Sequence, residues 1–120
     1  MSFHTIKLIN AGMFPVSCLV GFGCTKATFI KHLKQVTDTV HHQQLIDDAF
    51  CVDKPTNAGI FFGLLHQTFI WIPSGEVDIL IHELVHLSTH VLEHCGVPMS
   101  KENDEVLAYL MGDFVSQLQK

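Results

Sequence analysis

His82 and His86 stand four residues apart, with Glu83 next to the first of them. On a helix, positions four apart lie one above the other on the same face. Both imidazoles can then reach a single zinc ion, which bonds such nitrogens at about 2.0–2.1 Å. Glu83, one step round the helix, is placed to act as a base towards a metal-bound water. The surrounding run, Val77 to Cys95, has the period of an amphipathic helix. Val77, Leu80, Ile81, Leu84, Val85, Leu87, Val91, Leu92 and Cys95 gather on one arc. His82, His86, Thr89, His90 and Glu93 gather on the opposite arc, with Glu83 at its edge. The expectation is a helix that buries one side and presents the histidines to a cleft.

Two histidines and a water leave a catalytic zinc one protein ligand short. A metzincin-type site would place glycine and a third histidine at fixed positions after His86, but Thr89 and Leu92 stand there. The other solution is a carboxylate from the following segment, where Glu102, Asp104 and Glu105 are the candidates. Glu105 shares a helical stripe with Ala108 and Gly112, roughly opposite an apolar arc of Leu107, Leu110, Phe114 and Leu118. Small residues on that stripe favour a close approach of the two helices, and so favour Glu105. Asp104, at the border near Met111 and Val115, is the alternative.

These residues resemble the gluzincins, zinc peptidases related to thermolysin. The resemblance lies in His82-Glu83-Leu84-Val85-His86, an 18-residue gap, and Glu105 within Asn103-Asp104-Glu105-Val106-Leu107-Ala108-Tyr109. The strand pair expected between Asn57 and Ile72 is similar to the one along the gluzincin cleft. The similarity spans Asn57 to Gln119, about half the chain, and is most specific at the metal motif. It implies zinc held by His82, His86 and Glu105, and a peptidase in which Glu83 takes a proton from the zinc-bound water and returns it to the leaving amine. Tyr109, His90, His66 or a backbone amide would stabilise the oxyanion, and Tyr109 is the catalytic candidate named with Glu83. Asp78, Glu93 and Asp113 are available to orient the zinc-bound imidazoles. The chain is much smaller than the well-known members and lacks their additional specificity domain. The alternative reading is a catalytically silent zinc-binding interaction protein, although such a site has no use for Glu83. A metal-independent domain with a coincidental motif is a third reading.

Several elements must position these groups. Phe3–Ile9 reads as a strand, Asn10-Ala11-Gly12 as a turn, and Phe14–Val20 as a second strand completing an antiparallel hairpin. Thr25 to about Val36 has helical spacing, while Thr37–Pro55 gives no decisive period. Ile60–Leu65 and Thr68–Ile72 read as strands, the first lying at the sheet edge and starting as early as Asn57. Ser74 is the expected N-cap of the histidine helix, and Gly96-Val97-Pro98 its stop. Ser100 would cap a last helix, Lys101 to about Gln119. The fold class expected is α+β: one zincin-like domain over residues 1–120, with a mixed or antiparallel sheet against the histidine helix and a C-terminal helix.

Composition narrows the partners. The chain is 48% hydrophobic and 16% charged, with formal charge −5, seven lysines and no arginine. No basic face for nucleic acid is visible, because phosphate binding draws on clustered lysine and arginine. No apolar run reaches the roughly 18 residues of a membrane span. The first residues lack the charge and apolar core of a signal peptide. A cytoplasmic protein acting on a peptide or protein is therefore expected, with Cys18, Cys24, Cys51 and Cys95 as free thiols.

Overall fold

The computed structural model describes residues 3–36, 60–64 and 67–119. Expectations for Thr37–Pro55, Asn57–Gly59, Leu65 and His66 lie outside the described residues.

Four strands form one mixed sheet in the order β1-β2-β4-β3. Strands β1 (Ile6–Ala11) and β2 (Phe14–Phe22) make the expected hairpin. Asn10 and Ala11 remain within β1, with a register shift between them, so the turn falls at Gly12 and Met13, later than expected. Strands β3 (Ile60–Leu64) and β4 (Gln67–Ile72) form a second antiparallel pair, and β4 runs parallel to β2. The strand leading towards the histidine helix is thus interior, and β3 lies at the edge.

The period of two along the strands sorts side chains between two cores. Val16, Cys18 and Val20 of β2, with Ile70 and Ile72 of β4, face the larger core. Leu19 and Phe69 face a smaller one. Helix α1 (Lys26–Val36) covers that smaller face with Phe29 and Leu33. Thr25 Oγ1 caps it by accepting the Thr28 N–H at 3.2 Å. The Phe29 ring lies against Gly21, where a side chain would collide with it. Trp71 belongs to this core too, stacked on Phe29 at 6.3 Å and donating Nε1–H to the Cys24 carbonyl at 2.9 Å.

Helices α2 (Val77–His94) and α3 (Asp104–Gln119) close the larger core. A single 3-10 turn, Lys101–Asn103, precedes α3. Ser100 stands at the N-cap of that turn, but its hydroxyl accepts from the Asn103 side chain and caps no backbone amide. From α2, Leu80, Leu84, Leu87, Val91 and Leu92 are buried, each contributing about 1.5–3 kcal/mol. Leu110, Phe114 and Leu118 of α3 meet them, and Ser88 Oγ fits between the helices, 2.9 Å from the Leu84 carbonyl and 3.3 Å from Met111 Sδ. Val77, Ile81 and Val85 were expected on the buried arc but are exposed. The sheet and α3 cover less of the helix circumference than its apolar residues occupy.

Cys18, Cys24 and Cys95 are free thiols. Burial pushes the Cys18 thiol up to about 12, partly countered by a hydrogen bond with Thr68. No described helix is long and apolar enough to cross a membrane.

Candidate metal centre

The histidine helix is aimed by the junction before it. Gly23 N–H donates to the Ile72 carbonyl at 2.7 Å, joining the end of β2 to the end of β4. Gly75 turns the chain with φ +69°, and a Cβ there would lie 3.3 Å from Gly23 Cα. Only glycine suits both the left-handed conformation and the close backbone. The N-cap is Glu76, not Ser74, and no side chain caps the helix. Ser74 lies inside the turn, where its hydroxyl accepts the Glu76 N–H at 3.4 Å. At the far end, Val97 N–H reaches the Leu92 carbonyl at 2.8 Å and Gly96 N–H the Glu93 carbonyl at 3.2 Å, a Schellman closure.

On this rigid helix the Nε2 atoms of His82 and His86 converge to 3.3 Å, both side chains being exposed. Two nitrogens at about 2.05 Å from a tetrahedral ion are separated by about 3.3–3.4 Å. The two rings hydrogen-bond to each other at this distance, which is also the spacing a zinc chelate needs. Glu83 is buried, at 7% exposure, and not on an open edge as expected. Among the described residues no hydrogen bond or ion pair reaches its carboxylate. An unpartnered buried polar group costs about 1–3 kcal/mol, and more if charged. A cation at the neighbouring histidine pair would offset that cost.

Among the described residues, Glu105 is not grouped with the histidine pair. Glu105 is exposed on the first turn of α3 and lines a recess of about 500 Å³ with Ala11, Met13, Phe14, Val106 and Tyr109. Among the described residues, no three His, Cys, Asp or Glu side chains are grouped to hold one ion. Tyr109 lies one helical turn from Glu105 in the same recess and is 71% exposed. Glu105 lies by the β1–β2 turn and Ala108 and Gly112 are exposed, while Met111 meets Ser88 of α2. Asp113 is engaged by Gln117, whose Nε2 donates to Oδ2 at 2.8 Å. Asp78 and Glu93 are exposed on α2.

Phe61 was read only as part of an apolar strand, yet it borders the histidines. Its ring stacks on His86 at 6.2 Å and 17° and meets His90 at 5.9 Å and 67°. Strand alternation carried the signal: Phe61 pairs with Ile70, which faces the same core as α2. His90 also stacks with His94, at 6.1 Å with parallel rings, and Phe61 lies between this pair and the His82–His86 pair.

No family model, curated protein or solved structure matches this chain.

Proposed function

We propose that this protein is a zinc-dependent metallopeptidase with a zincin-like fold. The observation that carries the reading is a buried Glu83, unpartnered among the described residues, next along α2 to two imidazoles whose nitrogens are separated by the bite of a tetrahedral ion. His82 Nε2 and His86 Nε2 would hold the zinc. Glu105 completes the protein ligands on the strength of the gluzincin resemblance, and requires its exposed carboxylate to move to the pair. Tyr109, one turn further on, would travel with it and supply a donor to the carbonyl oxygen. When bound, zinc supplies a Lewis acid and a water that ionises near neutral pH.

The Glu83 carboxylate takes the proton from the attacking water and delivers it to the amine nitrogen that leaves. Its burial excludes bulk water from that transfer. The substrate is a peptide or protein segment laid along the outer edge of β3, next to which no described strand lies, by main-chain hydrogen bonds. The edge position of β3 and the packing of Phe61 on His86 support this, because they put that edge beside the centre.

Elemental analysis of metal-replete protein, combined with hydrolysis assays, tests the reading. One zinc per chain is expected, lost in His82→Ala and His86→Ala and weakened in Glu105→Ala. Glu83→Gln should retain zinc and melting temperature while hydrolysis falls at least about 100-fold. A comparison of wild type and Glu83→Gln in native lysate would find the fragment that only wild type produces. Protein without stoichiometric zinc would overturn the proposal. Equal zinc-dependent cleavage by both proteins would remove Glu83 as the base, and zinc without any cleavage would favour a silent binding protein.

A further inference from the structure

The ring of Phe61 belongs to the edge strand but is partly buried against the larger core. It presents its face to His86, centroid to centroid 6.2 Å, and His90 meets it edge-on at 5.9 Å. Terminal torsions of imidazole side chains are broad and only two-fold. A flat neighbour therefore fixes the plane of the ring, and the 3.3 Å contact with His82 Nε2 selects which of the two flips is kept. His86 needs this decision because its side chain is exposed, and rotation about its last torsion would swing Nε2 away from His82. The two imidazoles meet at 77°, a crossed arrangement that does not hold either ring by stacking.

We infer that Phe61 is a positioning residue, holding the His86 imidazole in the orientation that binds metal and so tying the edge strand to the metal centre. The inference rests on the proposed zinc site. A ring already oriented loses less freedom when it binds an ion, and this preorganisation strengthens binding without a new bond to the metal. The tie also works in reverse. A peptide paired along β3 orders the strand that carries Phe61, and any gain in metal affinity is returned as an equal gain in peptide affinity.

The test uses the full chain and two readouts. Zinc affinity, measured by competition with a chromogenic chelator, should fall about three- to tenfold in Phe61→Leu, in keeping with the loss of one aromatic contact. Phe61→Tyr, which keeps the planar face, should restore it. In metal-free protein the ring-proton resonances of His86 should shift in Phe61→Leu, as the ring current is lost, and return in Phe61→Tyr. Leu33→Ala, a change in the smaller core on the other face of the sheet, should lower melting temperature without changing zinc affinity. If Phe61→Leu does not fold, Phe61→Met removes the planar face while keeping apolar bulk. Wild-type zinc affinity in a folded variant lacking the ring would overturn this role alone. So would unchanged His86 resonances. A wild type that binds no zinc would overturn the metal reading, and this role with it.

Discussion

Cys18 and Glu83 are both nearly closed off from water, at 1% and 7% exposure, but with different consequences. For Cys18 burial favours the neutral thiol and pushes its pKa from 9.0 to about 12. Below pH 9 the thiol is protonated in folded and unfolded chains alike, and its contribution is intact. Above pH 9 the unfolded chain releases the proton and the folded chain keeps it, so stability falls until the folded thiol also ionises near 12. One such group gives a slope of up to about 1.4 kcal/mol per pH unit. Cys24, also raised by burial, adds in the same direction. Urea denaturation between pH 8 and 11 should show this decline, and Cys18→Ala should flatten it relative to wild type. An unchanged slope in the variant would mean that Cys18 is not the titrating group. The residues of the metal motif were legible in the sequence because their spacing alone brings them together. The placement of Glu105 by the β1–β2 turn was not, because a helical wheel gives direction around an axis and says nothing of where that axis lies. Burial of Glu83 was equally hidden, since it depends on how closely the neighbouring elements flank α2.

At the scale of elements, the histidine helix owes its direction to the short turn after β4. Periodicity made the strands and helices readable to within a few residues, as at Lys26–Val36 and Val77–His94. The junction was less so: Ser74 has the composition of an N-cap, but the backbone there must first turn at Gly75 and close against Gly23. Pairing of β2 with β4 in parallel was likewise not encoded locally, since both strands are also members of hairpins. Gly75→Ala tests the junction, with Gly12→Ala as its comparison. Both glycines have positive φ, +69° and +65°, but only Gly75 has another backbone against it. The left-handed conformation costs a non-glycine residue about 1–2 kcal/mol. Gly12→Ala should show that cost alone, and Gly75→Ala a larger one, read as a lower denaturation midpoint at unchanged slope. Equal losses would mean that the Gly23 contact yields without strain.

Across the whole molecule, the two sheet edges are treated differently. At β1 the side-chain amide of Gln117, from α3, stands in for a missing strand. Its Nε2 donates to the Asn10 carbonyl at 2.7 Å and its Oε1 accepts the Asn10 N–H at 3.1 Å. Such cover blunts an edge that would otherwise pair with another chain. At β3 no described strand lies on the outer side, and this is the edge beside His86. In the proposed reading, the β3 edge is the one that takes the incoming peptide. Proline at Ile60 separates strand pairing from metal binding. Ile60 is the first residue of an edge strand, a position where proline is tolerated, and it pairs with Trp71 at the end of the ladder remote from Leu64. The substitution removes one N–H and stiffens the approach to the strand. A main-chain hydrogen bond is worth about 1 kcal/mol, so kcat/KM on a cleaved peptide should fall by about fivefold or more. Zinc stoichiometry should stay at one, because His82 and His86 are held by α2. Unchanged turnover in a folded, zinc-loaded Ile60→Pro protein would move the substrate to another surface.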